Sequence, residues 1–190
     1  MVQTNRVEEA RSPRPLEGKV AIVTGAGGGI GRGIAAALAA RGAAVTCAGR
    51  TRASLDATVA ELGALGEVDA VECDVSSTAE VEALVARVHE QRQALDILVC
   101  SHGVYDPTTS FPDLADEQWD EIMAINVRGT FLCCRAAARR MMDDGTPGRI
   151  GMPKDIADAV AWLVHPDSSY VTGAVIVIDG GQTAVQFIAS

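Results

Sequence analysis

The strongest constraint on this fold is an alternation. Short apolar runs of four to six residues are each followed by a longer stretch with helical spacing. That order builds a parallel sheet with helices on both faces. Lys19-Val20-Ala21-Ile22-Val23 is too short for a helix and is bounded by glycine, so it predicts a strand buried on both sides. Residues 30–41 carry Ile30, Ile34 and Leu38 at helical spacing and stop at Gly42. Ala44 to Ala48 predicts the second strand, and Leu55, Val59 and Leu62 set a second helix closed by Gly63 and Gly66. Val68 to Cys73 predicts a third strand, polar enough for a sheet edge, and residues 78–91 a helix through Val81, Leu84, Val85 and Val88. Ile97 to Cys100 predicts the fourth strand. A long helix over 116–142 follows, with Trp119, Ile122, Met123, Val127 and Phe131 on its stripe. Residues 153–164 predict a helix begun by Pro153, and 175–178 a last strand. The fold class is α/β, a doubly wound parallel sheet.

The chain has 190 residues, 48% hydrophobic and 22% charged, enough for one domain with a proper core. Its net charge of -9 argues against nucleic acid or an anionic membrane surface as partner. No apolar run approaches the roughly 18 residues of a membrane span. Residues 1–17 mix Arg6, Glu8, Glu9, Arg11 and Arg14 with two prolines and hold no apolar stretch for a secretory signal. They read as a flexible tail ahead of a single domain over 18–190. Five cysteines stand at 47, 73, 100, 133 and 134, an odd number with no Cys-x-x-Cys pair. The expectation is reduced cytoplasmic thiols and no metal site.

The first strand runs into Thr24-Gly25-Ala26-Gly27-Gly28-Gly29-Ile30-Gly31 and then directly into a helix. Glycines let a backbone turn sharply and approach a phosphate closely. The helix N-terminus adds unpaired N–H groups and a partial positive charge that favour a pyrophosphate. A glycine-rich turn without a ligand is the plainer alternative.

The spacing Thr-Gly-x-x-x-Gly-x-Gly resembles the cofactor loop of the short-chain dehydrogenase/reductase family, and further matches follow in order. Cys73-Asp74-Val75 resembles the segment whose carboxylate meets the adenine amino group. Ile97 through Gly103 resembles the strand and Asn-Asn-Ala-Gly turn beside the adenine ribose, with Cys100-Ser101-His102-Gly103 in place of that turn. Ile125-Asn126-Val127 resembles the helix segment bearing the family's catalytic asparagine. Ser169-Tyr170-Val171-Thr172-Gly173 through Asp179-Gly180-Gly181 resembles its C-terminal motif. The resemblance covers Leu16 to about Gly181. It implies a Rossmann-like domain whose cofactor contacts come from Thr24, Gly25, Gly29, Ile30, Gly31, Arg50, Asp74, Val75, His102 and Gly103. It also implies a small-molecule carbonyl or alcohol substrate and a homo-oligomer. His102 is read as a turn residue beside the adenosine, with acid/base work near the cofactor as the alternative.

Cofactor choice is read after the second strand, where an acidic residue suits the NAD ribose hydroxyl and an arginine suits a 2′-phosphate. Gly49-Arg50-Thr51-Arg52 stands there, so NADP(H) is favoured over NAD(H); a solvated loop charge is the alternative for Arg50.

One departure is severe. The family transfers its proton through a serine and a Tyr-x-x-x-Lys pair that follow a fifth strand. Of the two tyrosines, Tyr105 is followed four residues on by Thr109 and Tyr170 by Ala174. Gly148-Arg149-Ile150 joins directly to Gly151-Met152-Pro153, as though one Gly-Arg served two separate segments of the family pattern. The expectation is a seam near 148–151, with the fifth and sixth strands, the tyrosine-bearing helix and the substrate loop missing. Asn126 is then the one catalytic residue left. Two readings stand: an NADP(H)-dependent alcohol/carbonyl oxidoreductase by family, inactive as written, or a non-catalytic remnant that acts by binding nucleotide or protein.

Overall fold

The structure, a computed structural model, describes residues 14–105, 109–144, 160, 162 and 166–169. The chain divides into two compact units, Met1–Gly145 and Thr146–Ser190. In the second, one 3-10 turn is described, Pro166–Ser168. The helix expected at 153–164, the strand at 175–178, the motif ending at Gly181 and the seam at 148–151 lie outside the described residues, apart from single positions.

In the first unit β1 (Val20–Thr24), β2 (Ala44–Gly49), β3 (Val68–Glu72) and β4 (Ile97–Cys100) form one parallel sheet in the order β3-β2-β1-β4. Val20 aligns with Ala44 in β2, and Ala21 with Ile97 in β4. The helices are α1 (Gly29–Ala40), α2 (Arg52–Leu62), α3 (Thr78–Arg92), α4 (Asp116–Ile122) and α5 (Thr130–Asp143). The sheet is thus the Rossmann-like arrangement expected, with polar β3 at an edge.

Side chains that alternate along β1 feed two separate cores. Val20 and Ile22 join Val81, Leu84, Val88, Leu132 and Ala137 on the α3/α5 side. Ala21 and Val23 join Ala35, Ala39, Leu55 and Leu62 on the α1/α2 side. This explains the unbroken apolar run of β1, which is fully buried, whereas β4 is half-buried throughout. Of the expected tail, residues 14–17 are described. They form a turn in which the Leu16 N–H donates to the Arg41 carbonyl at 3.0 Å, and Leu16 packs on the α1/α2 core.

The expected long helix over 116–142 is continuous but not uniform, because Met123–Gly129 is π-helical between α4 and α5. Its apolar stripe is only partly covered: Ile125 and Leu132 are buried, while Trp119, Val127 and Phe131 are exposed. Among the described residues, no helix is long and apolar enough to cross a membrane.

Candidate functional site

The site grows from the glycine loop at the C-terminal end of β1. Gly25 turns the chain at φ +70, and a Cβ there would lie 2.5 Å from the Ser101 carbonyl oxygen. A Cβ on Gly31 would lie 2.3 Å from the Gly25 carbonyl oxygen, so loop and helix approach more closely than any side chain allows. The N-cap of α1 is Gly28, with no side-chain hydrogen bond, and no acidic residue stands in its first turn. Its N–H groups and partial positive charge are therefore open to an anion.

Two residues brace this loop from behind. Arg32 Nη2 donates to the Gly27 carbonyl at 3.0 Å, and its Nε donates to Thr58 Oγ1 at 3.0 Å. Thr58 Oγ1 donates in turn to the Ala26 carbonyl at 3.0 Å. Neither belongs to the glycine motif. The signal that finds Thr58 is its place three residues after Leu55, on the face that buries α2.

The second wall is Gly49, Arg50, Thr51 and Ser54. Arg52 is taken up by Asp56, with Nη2 2.8 Å from Oδ1, whereas Arg50 is exposed. The third wall is Cys73, Asp74 and Val75. Asp74 Oδ1 accepts from the Ser76 N–H at 2.9 Å and the Ser76 hydroxyl at 2.8 Å. Those two bonds hold its carboxyl below the usual range, with the charge of Arg50 adding to them against a small cost of burial.

The fourth wall is Ser101 to Val104 with Ile125. Asn126 fastens it: Oδ1 accepts from the Val104 N–H and Nδ2 donates to the Val104 carbonyl, both at 2.9 Å. His102 sits between two threonines, Nδ1 2.6 Å from Thr24 Oγ1 and Nε2 3.3 Å from Thr130 Oγ1. Burial pushes its pKa below the ordinary histidine value, against a hydrogen bond with the Ile125 backbone, so the ring is neutral at pH 7.

These walls enclose a cleft of about 460 Å³. Gly25, Ile30, Gly31, Arg50, Asp74, Val75, His102 and Gly103 all line it. Thr24 is buried beneath, touching His102, and Gly29 is the exposed first residue of α1, outside the lining. Asn126, expected as catalytic, is outside the lining too, with both ends of its amide used on Val104.

The family model described as short chain dehydrogenase matches residues 19–151, and one described as Enoyl-(Acyl carrier protein) reductase matches 144–183. The first alone spans well over half of the chain. This chain belongs to the short-chain dehydrogenase/reductase family. Its relatives include a D-threitol dehydrogenase of Mycolicibacterium smegmatis, 38% identical over 75% of this chain and 55% of that protein. Another is the short-chain dehydrogenase reductase 3c of Arabidopsis thaliana, 38% identical over 71% of this chain and 52% of that protein. Among solved structures, a short chain dehydrogenase from Burkholderia cenocepacia in complex with NADP superposes with a TM-score of 0.62 at 37% identity, over 66% of this chain and 51% of the other. This short-chain dehydrogenase/reductase spans about half the length of the curated relatives it matches. The family binds a nicotinamide cofactor and acts on small molecules.

Proposed function

We propose that this chain binds NADP(H) by its adenosine and pyrophosphate, with Arg50 on the 2′-phosphate, and performs no hydride transfer as the 190-residue chain. The observation that carries the binding half is the cleft itself. Two positions there demand glycine, the helix N-terminus is uncapped, and no carboxylate stands at Gly49 to repel a phosphate. Thr24, Gly25, Gly29, Ile30 and Gly31 would hold the pyrophosphate, Asp74 and Val75 the adenine, and His102 and Gly103 the adenosine ribose. Were a proton-transfer pair present, the bound cofactor would supply the hydride for carbonyl reduction.

The inactive half rests on the sequence. Proton transfer by a positioned group contributes roughly 10²–10⁴-fold, and positioning of reactants more. Neither tyrosine is followed by a lysine four residues on, and Asn126 has nothing to relay. A second reading, an alcohol/carbonyl oxidoreductase with turnover, is favoured by relatives that carry names such as D-threitol dehydrogenase. The exposed Trp119, Val127 and Phe131 support assembly with another copy, and the free cysteines support a reducing cytoplasm as its setting.

Fluorescence titration with NADPH and NADH tests the binding half. NADPH should bind more tightly, and Arg50→Ala should weaken it by about tenfold or more, the worth of a charge-assisted hydrogen bond. Equal affinities that ignore Arg50→Ala would refute the 2′-phosphate contact. Oxidation of NADPH by the purified chain with any of a panel of aldehydes and ketones would establish the second reading.

A further inference from the structure

Two cysteines gather behind the cleft wall against His102, whose turn lines the cleft. Cys100 ends β4, His102 follows two residues later in the turn, and Cys133 comes from the first turn of α5. A sulfur of Cys100, a ring nitrogen of His102 and the sulfur of Cys133 all lie within 4.8 Å of one another. The Cys100 thiol is also hydrogen-bonded to Cys134 and to Thr24. We propose that Cys100, His102 and Cys133 bind one divalent cation of the zinc class, with its fourth position opening toward Cys134 and solvent.

Donor chemistry selects the cation. Two thiolates and one imidazole suit zinc and other borderline-soft ions, and no hard oxygen set is needed. Around tetrahedral zinc, with bonds of about 2.3 Å to sulfur and 2.0 Å to nitrogen, neighbouring donors stand roughly 3.5–3.8 Å apart. Closing from within 4.8 Å asks only for side-chain movement of about an ångström.

The cation displaces the thiol protons of Cys100 and Cys133, which leave to solvent as the two sulfurs ligate.

The surroundings are consistent. Cys133 is buried, Cys100 and His102 are half-buried, and Cys134 is exposed, so the ion has a way in. While one ring nitrogen of His102 ligates, the other keeps its threonine, Thr24 at Nδ1 or Thr130 at Nε2, which fixes the ring. The ion would clasp β4 to α5 and hold His102 against the nucleotide cleft.

The test uses the full 190-residue chain, reduced with a phosphine and stripped of metal, titrated first with Co²⁺ alone. One equivalent should produce thiolate-to-cobalt charge transfer and tetrahedral ligand-field absorption, both bleached by one equivalent of Zn²⁺. X-ray absorption of the zinc form should show sulfur at about 2.3 Å together with nitrogen at about 2.0 Å. Cys100→Ser and Cys133→Ser should abolish the charge-transfer band, and His102→Ala should weaken binding by at least about tenfold. Absence of the band in excess Co²⁺, or its survival in the doubly substituted chain, would overturn the site. Should either cysteine variant fail to fold by circular dichroism, the X-ray absorption of the unaltered chain decides. A shell of oxygen and nitrogen alone then refutes the proposal.

Discussion

Single atoms decide the glycine loop. An added methyl on Gly31 meets the Gly25 backbone at 2.3 Å, and backbone has no rotamer to yield. Gly31→Ala should therefore cost about 1–3 kcal/mol or more and abolish NADPH binding. Gly33 lies two residues on in the same helix with nothing within 4 Å of a Cβ, so Gly33→Ala should gain about 0.5–1 kcal/mol. Chemical denaturation of the pair checks this; a gain at Gly31 equal to that at Gly33 would show that helix propensity rather than close approach matters. A carboxylate at the opposite end of the sheet makes a pH-dependent counterpart. Asp96 Oδ1 accepts from Lys19 Nζ at 2.7 Å and Oδ2 from the Val20 N–H at 2.9 Å, pinning the start of β1. Burial alone would raise its pKa, but those two bonds outweigh it and the net shift is downward. A carboxyl with a lowered folded pKa stabilises fully above its unfolded value of about 3.9, and the contribution disappears as pH falls through the folded value. Asp96→Asn should cost about 1–3 kcal/mol at pH 7. Its stability curve should meet that of the unaltered chain below pH of about 4. A gap that persists in acid would assign the effect to packing.

Asn126 shows how one side chain couples two elements. It sits in the π-helical segment and answers both backbone groups of Val104, the residue that closes the turn after β4. Asn126→Ala strands a half-buried N–H and carbonyl, a loss of about 1–3 kcal/mol, and loosens the wall formed by His102 and Gly103. Asn126→Asp keeps the acceptor for the N–H and loses the donor, so denaturation midpoints should fall in the order native, Asp, Ala. An alanine variant as stable as the native chain would remove Asn126 from this positioning role. At this scale the sequence was legible wherever the cause was local. Strands β1 to β4, helices α1 to α3 and the glycine loop follow from periodicity and glycine placement within a few residues. The π-helical segment was not legible, and the Asn126 that it carries is bonded to a turn 22 residues earlier, a contact no local pattern announces. The braces of Arg32 and Thr58 were hidden for the same reason, being contacts between α1, α2 and the loop. The cysteines read as reduced thiols without a Cys-x-x-Cys pair, and only the fold brings Cys133 of α5 beside Cys100 at the end of β4.

At the scale of the molecule, the two faces of one sheet explain how the unit Met1–Gly145 forms the cleft that we propose as half of a dinucleotide site. Each core closes on its own helices, α1 and α2 on one face, α3 and α5 on the other, and the cleft forms where their connections meet the strand ends. Every described residue that lines the cleft belongs to the unit Met1–Gly145, and most come from segments that, by the family resemblance, meet adenosine and pyrophosphate. If affinity arises there, the nicotinamide end should add little. Adenosine 2′,5′-bisphosphate should bind within about tenfold of NADPH, a difference under roughly 1.4 kcal/mol, and nicotinamide mononucleotide should not bind measurably. Either fragment that binds will raise the melting temperature by mass action, about 2.7 kcal/mol of added stability at a hundred times Kd. Calorimetric titration of the full chain with the three ligands separates the cases. NADPH binding more than a hundredfold tighter than the bisphosphate would mean that the chain also builds a nicotinamide pocket, and the reading as a half-site would fall.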